Sequence, residues 1–517
     1  MRKQRLAGVG TRNCEVSYRM KRCKAVSFAP VAVVCLLAGC SGLSGGPSPI
    51  QPSAAGVTGS VHGGQQPVSG ATIQLYAVST TKGGGTPATL VFTSVVTDAG
   101  GGFNLTGRYT CPSSDSLVYI TATGGNPGLA AGTNNTAIAE MAALGACGSL
   151  GPSTFIQINE VTTVAAAMAL APFTTPPFNI GASPSDTSGI AAAFANAAAF
   201  ANFSNGTSPG AGQLPDPTAT TPGAPVATIN TLANIMAACI NSAGGVATDT
   251  STPCGMLFSL TGSPTDTMSA MVALALNPAA YDTNGLFGLV SPTAPFQPQL
   301  STPPANFSVT LTTPTGGSPA VVVVAPTVSP GDTVWIAQTG TGCLFGPPTS
   351  IQFNGTINSG LVNQLCGVVW TGVPASVPFG IVSGVVTTTS GGQQNSYPFY
   401  MNVVPKVKSG ITMSPTTAFF MGRAGTSLYS FDTSLINTAG GTLNLGMPTI
   451  TGPAAAYFHV LQGCGPLLSN RAGPCTITVF FMPPDTGFYY ATLVQTASDN
   501  SGNSYVATVN LAGSGQY

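Results

Sequence analysis

Three glutamates, two histidines and twelve cysteines are the side chains of this 517-residue chain best suited to chemistry. Glu15 lies in the basic N-terminal segment, which leaves Glu140 and Glu160 as a carboxyl pair within one Ala-rich stretch. Two carboxyls about 5 to 9.5 Å apart across a cleft would hydrolyse a glycosidic bond, one as acid and the other as nucleophile or base. Glu160 follows Asn159, however, and an acid behind a capping Asn is expected to be a first-turn helix charge. Gly206-Thr207-Ser208-Pro209-Gly210 has the Gly-x-Ser-x-Gly spacing of a nucleophile elbow, but that device needs a strand before the Ser and a helix after it. Asn and Gly flank this one and Pro follows the Ser, so a loop is expected. A Ser or Cys nucleophile also needs a base steadied by a third group. His62 and His459 sit in separate strand-edge contexts and read as ordinary surface or half-buried residues. Asp98-Ala99-Gly100-Gly101-Gly102 and Asp499-Asn500-Ser501-Gly502-Asn503 carry too few carboxylates for calcium and read as hairpin turns. These patterns assign no catalytic residue, no metal and no cofactor.

The cysteines divide by position. Cys14, Cys23 and Cys35 fall in a segment that is first basic and then apolar, and that ends in Leu37-Ala38-Gly39-Cys40. Positive residues, a short apolar run and small residues before a cut make an export signal rather than a folded element. The run is shorter than the about 20 residues that span a bilayer. It resembles the bacterial lipobox, whose Cys is acylated on its thiol and becomes the new N-terminus. The resemblance implies a signal peptide over 1–39 with Met20 as the true start, lipidation at Cys40 by palmitate-type chains, and anchoring instead of insertion. Ser41 in second place, where Asp would retain the chain at the inner membrane, implies an outer-membrane address. Residues 40–55, rich in Gly, Ser and Pro, form a flexible tether.

Eight cysteines remain, in close sequential pairs: Cys111 with Cys147, Cys239 with Cys254, Cys343 with Cys366, and Cys464 with Cys475. An even count in an exported chain reads as disulfides, each contributing about 2 to 4 kcal/mol. Zinc is disfavoured, because no pair has the Cys-x2-Cys spacing or a His nearby.

Beyond the signal, six basic residues (Lys82, Arg108, Lys406, Lys408, Arg423 and Arg471) face thirteen acids, a formal charge of −7. Nucleic acid needs clustered Lys and Arg and is excluded as a partner. With so few titratable groups, stability is expected to vary only weakly with pH.

Four modules must position these residues. Residues 56–125 alternate in short strands, as in Val57-Thr58-Gly59-Ser60-Val61, Ala71 to Tyr76, Thr89 to Phe92 and Leu117 to Ile120. Pro67 to Leu75 and the hairpin Thr97-Asp98-Ala99-Gly100-Gly101-Gly102-Phe103 resemble the carboxypeptidase regulatory-like domain, an accessory transthyretin-like β-sandwich; the resemblance implies no peptidase activity. Over 126–300 the periodicity turns helical. Ile229, Leu232, Ile235, Met236, Cys239 and Ile240 make one apolar face before Gly244-Gly245, and Met268 to Ala275 repeat it before Asn277-Pro278. Val161 to Ala171 and Ile190 to Phe203 are Ala-rich helices. Residues 301–407 return to strands (Phe307 to Leu311, Val321 to Val324, Thr333 to Ile336, Val368 to Trp370, Tyr400 to Val404), expected to form an immunoglobulin-like sandwich, although the spacing fits a barrel equally well and leaves the topology open. In 408–517, Asn437-Thr438-Ala439-Gly440-Gly441-Thr442-Leu443, Ile450-Thr451-Gly452, Cys464-Gly465, Cys475 to Pro483 and Gly487 to Leu493 resemble the choice-of-anchor D domain, related to the ASPM, SPD-2 and Hydin immunoglobulin-like fold.

The expected fold class is multi-domain and mainly β, immunoglobulin-like and transthyretin-like sandwiches with an Ala-rich helical module between them. The expected function is non-catalytic: a lipid-anchored envelope protein presenting protein- or polysaccharide-binding modules, with the membrane as one partner and a polysaccharide or envelope protein as another. The alternatives are an exported hydrolase acting through the helical module, or a subunit of an envelope complex. A cleft lined by Glu140, Glu160 and Asp186 would favour the enzyme, and a flat aromatic strip on a sandwich would favour glycan binding.

Overall fold

A computed structural model describes residues 57–81, 87–209, 223–304, 306–311, 321–323, 326–338, 348–358, 363–365, 368–390, 393–406, 410–425, 429–439, 441–452, 454–470, 473–499 and 504–516. The signal, Cys40, the tether, Cys343 and Cys366 lie outside the described residues.

The first strands follow the alternation of the sequence: β1 (Thr58–Gly63), β2 (Gln66–Pro67), β3 (Thr72–Ala77), β4 (Ala88–Thr89), β5 (Val95–Val96), β6 (Gly102–Asn104) and β7 (Leu117–Thr123). Val61, Ile73 and Leu75 point inward, while their neighbours His62 and Gln74 are half-buried. Two more strands lie past residue 125, where helix was expected: β8 (Ala139–Ala146) and β9 (Phe155–Ile158). The Ala, Glu, Met and Leu of β8 favour helix locally, but pairing with β7 overrides that weak preference. One sheet has the order β4-β3-β7-β8, with β5 also on β3; the other has the order β2-β1-β6, with β9 parallel to β1. The outer edge of β8 is closed by helices, since Ala139 N–H donates to Thr267 Oγ1 (3.0 Å) and Met141 N–H to Thr163 Oγ1 (2.9 Å). Helix-borne hydroxyls thereby satisfy backbone groups that an edge strand would otherwise expose.

The helical part then runs α1 (Glu160–Leu170), the small hairpin β10 (Thr174–Thr175) and β11 (Asn179–Ile180), α2 (Thr187–Phe200), α3 (Val226–Ile240), α4 (Pro253–Leu260), α5 (Thr267–Leu276) and α6 (Thr283–Phe287). Every residue of α1 is buried, and its Ala side chains let α2, α3, α5 and β8 pack directly against it. Sandwich and helices share one apolar core that extends unbroken from Val57 to Val309. Cys111–Cys147 bridges across residue 125, and Cys239–Cys254 ties α3 to α4. Phe307 to Leu311, expected as a strand of the next sandwich, is irregular; Phe307 and Val309 are buried in this N-terminal core instead.

The next sandwich comprises β12 (Val321–Val323), β13 (Thr327–Val328), β14 (Thr333–Gln338), β15 (Pro348–Phe353), β16 (Thr356–Asn358), β17 (Asn363–Leu365), β18 (Val368–Gly372), β19 (Gly380–Ser390) and β20 (Gln393–Val403). Its sheets have the orders β12-β14-β18-β17 and β13-β20-β19-β15-β16. The last sandwich comprises β21 (Ile411–Ser414), β22 (Thr417–Arg423), β23 (Tyr429–Asn437), β24 (Thr442–Leu445), β25 (Thr449–Thr451), β26 (Phe458–Gln462), β27 (Leu467–Ser469), β28 (Cys475–Phe481), β29 (Gly487–Ser498) and β30 (Ser504–Gln516). Its sheets are β21-β23-β28-β26 and β22-β30-β29-β24-β27, with β25 on β29, and Cys464–Cys475 closes the stretch between β26 and β28. Each of the two sandwiches has its own apolar core. The protein is therefore multi-domain and mainly β, with immunoglobulin-like sandwiches around a helical element. Among the described residues no helix is long and apolar enough to cross a membrane.

Candidate functional site

Glu140 and Glu160 are brought together where β8 meets the start of α1. The local sequence fixes α1's entry: Asn159 Oδ1 accepts from Thr162 N–H (3.0 Å) while Thr162 Oγ1 accepts from Asn159 N–H (3.0 Å), a reciprocal cap that satisfies two orphan donors. Thr163 Oγ1, donating to Asn159 O (2.7 Å) and accepting from Met141 N–H, pins this turn to β8 one residue beyond Glu140. Glu160 Oε1 accepts the N–H of Gly64 (2.7 Å), in the turn between β1 and β2, where φ is +61° and glycine is favoured.

Both carboxyls have 0% exposure. Glu140 Oε1 and Oε2 and Glu160 Oε2 have no hydrogen-bond partner among the described residues. Burial pushes Glu160 up from 4.5 to about 8, against the pull of the Gly64 N–H. Burial likewise raises Glu140 well above the usual carboxylate range, and the neighbouring Glu160 charge adds to it. Glu160 is thus not the ionised first-turn charge that its place after Asn159 suggests, because loss of solvation outweighs the helix terminus. Asp186, in the turn before α2, is half-buried and is not sealed in with the glutamates. The pair can hold protons; 0% exposure gives a substrate or attacking water no entry.

The other chemistry-bearing groups, His459 excepted, are engaged in holding the fold. Ser208 is 2% exposed and its hydroxyl donates to Phe200 O (2.6 Å), as a loop residue closing onto the end of α2. Asp98 Oδ1 accepts from both Gly100 N–H and Gly102 N–H (2.8 Å each), a turn device rather than a cation ligand. Asp499 Oδ2 accepts from Tyr505 Oη (2.8 Å); the remainder of that turn, 500–503, lies outside the described residues. His459 is exposed on β26. His62, on the outward face of β1, forms a short chain that sequence reasoning missed: Ser60 Oγ donates to Gln157 Oε1 (2.7 Å), and Gln157 Nε2 lies 2.7 Å from His62 Nδ1. Burial lowers the His62 pKa, so the ring is a neutral partner at ordinary pH. The parallel pairing of β1 with β9 places Gln157 opposite Ser60, a juxtaposition that alternation along one strand does not reveal.

The two tryptophans form no open strip. Trp335 on β14 stands opposite Trp370 on β18 with ring centroids 4.7 Å apart, and Phe419 of the last sandwich stacks on both at 5.7 and 5.9 Å. Ala337, Val368 and Ala512 complete this joint, against which Phe488 and Tyr490 pack. Trp335 is 5% exposed, so its ring is spent on the contact between sandwiches.

No family model matches the chain, and no curated protein matches it significantly. Solved structures similar to parts of it span binding domains and enzymes, among them the Vibrio cholerae VesB protease (17% identity, 25% of this chain and 41% of that one, TM-score 0.19). They include the ASH/PapD-like domain 7 of human CEP192 (15% identity, 22% of this chain and 90% of that one, TM-score 0.18) and the C. elegans MSP family member WR4 (10%, 21% and 99%, 0.16). The Bacteroides ovatus mixed-linkage glucan utilization locus protein SGBP-B is similar at 16% identity, over 40% of this chain and 48% of that one, with a TM-score of 0.18. Likeness at this level carries no argument about function.

Proposed function

We propose that this chain is an exported, non-catalytic envelope protein, anchored by lipid at Cys40 and serving to present sandwich modules to a polysaccharide or protein partner. The observation that carries the reading is that four of the groups singled out for chemistry are hydrogen-bonded into the fold: Glu160 to Gly64, Ser208 to Phe200, Asp98 to its own turn and His62 to Gln157. The disulfides support assembly outside a reducing cytosol. The stacked joint supports a spacer role, because it fastens successive sandwiches and leaves neither tryptophan as an open sugar platform. A hydrolase working through the helical part would need access to Glu140 and Glu160, which their burial denies.

Two measurements test this. Intact mass of the membrane-extracted protein is expected to show removal of 1–39 and acyl chains on Cys40, both lost in Cys40→Ala; an unprocessed chain with all thiols reduced would overturn the address. Residues 41–517 on an array of glycans and envelope proteins are expected to give a discrete set of binders, and complete silence would remove the presentation role.

A further inference from the structure

The buried glutamates are the least economical feature of the N-terminal core. An uncompensated carboxylate in an apolar interior is far costlier than its protonated form, and two adjacent carboxyls resist ionising together. The sequence supplies no neutralising side chain, since β7, β8, β9, α1, α2, α3, α5 and β19, the elements packed around β8 and α1, contain no Lys, Arg or His. Their other titratable groups are acids, tyrosine or bridged cysteines and supply no cation. Tyr119 on β7 donates to Phe178 O, Cys239 on α3 is bridged to Cys254, and Cys147 after β8 is bridged to Cys111. Asp186 and Asp266 lie before the first residues of α2 and α5, Asp266 accepting from Ser269 N–H, and His62 on β1 is held by Gln157.

We propose that Glu140 and Glu160 form a proton-held lock, which in its protonated state fastens the β1–β2 turn and the start of α1 against β8 and which alkali releases by forcing charge into the core. The geometry for this is the Gly64 N–H on Glu160 Oε1, the Thr163 link from α1 to β8, and three carboxyl oxygens with no donor. The sign follows from the raised pKa values of the folded state. The stabilisation is complete below about 4.5, declines as pH rises, and for Glu160 is lost once pH passes about 8. Acid therefore tightens this region, the opposite of the usual carboxylate case.

Glu15, Glu140 and Glu160 are the only glutamates of the chain, so carbon-13 labelling of glutamate δ-carboxyls in the full chain gives an almost background-free readout. Two signals, assigned by Glu140→Gln and Glu160→Gln, are expected to titrate higher in the folded chain than in urea, that of Glu160 at about 8. The denaturant midpoint of the wild type should fall between about pH 5 and pH 9, while that of the double Gln variant, which mimics the protonated pair, stays level. Signals titrating alike in folded and unfolded chain, equal pH slopes in both proteins, or a shift that a chelator abolishes would each overturn the lock. If the double variant does not fold, the carboxyl titration of the wild type decides alone.

Discussion

Residues 57–309 and residues 321–516 use the same sparse vocabulary of Ala, Val, Thr and Gly, yet they cohere by different means. In the N-terminal part, sandwich and helices are interlocked. β8 and β9 lie between the first seven strands and α1 in the chain, β9 returns to pair with β1, Thr163 and Thr267 reach from helices to the sheet edge, and one core fills the whole. In the C-terminal part, each sandwich buries its own core and touches the next through a patch of stacked rings. Shared main-chain pairing makes one cooperative unit, whereas a side-chain joint makes two neighbours that hold a fixed relation.

That contrast is open to direct attack. The largest effect is expected from Phe258→Ala in α4, a site at 0% exposure, which should cost about 3 to 5 kcal/mol. Hydrogen exchange should then accelerate in β3 and β7 as well as in the helices; protection retained in those strands would show that residues 57–309 are two units. Phe481→Ala, equally buried in the last sandwich, should speed exchange in 411–516 alone.

A smaller effect is expected at the joint. Trp335→Ala removes the more buried of the two tryptophan rings of the stack and should cost about 2 to 3 kcal/mol, less than a core site because water can refill the gap. Small-angle scattering should report a broader range of shapes, and the two sandwiches, expected to unfold together in the wild type, should unfold in separate transitions. An unchanged curve and transition would mean that the rings do not hold the joint. The smallest effect belongs to Asp98→Ala, which removes two bonds in an exposed turn and should lower stability by only about 0.5 to 1 kcal/mol, read as a small drop in Tm.

Some of this was legible from short-range spacing. The cap at Asn159, the stop at Asn277-Pro278, the turn at Asp98 and the α3 face from Ile229 to Ile240 all stand where adjacent residues place them. α4 was missed because its eight residues contain too little repetition to show a period. Glu160 was located correctly on its helix but given the wrong charge state, since burial is a property of what packs around it. The tryptophans gave no hint of being joint residues, because alternation along β14 and β18 says that a face is apolar without saying what covers it.

The sequence by itself determined the local elements and the sparse supply of charge, because caps, turns and apolar periods are contacts among residues a few positions apart. Only the tertiary structure decided that Ala139–Ala146 is a strand, that Phe307 and Val309 belong to the N-terminal core, that two glutamates twenty positions apart share one sealed site, and that Phe419 covers the tryptophan pair. Each of these depends on a partner distant in the chain, and the free energy of burying one face against another outweighs the weaker preferences written into any single segment.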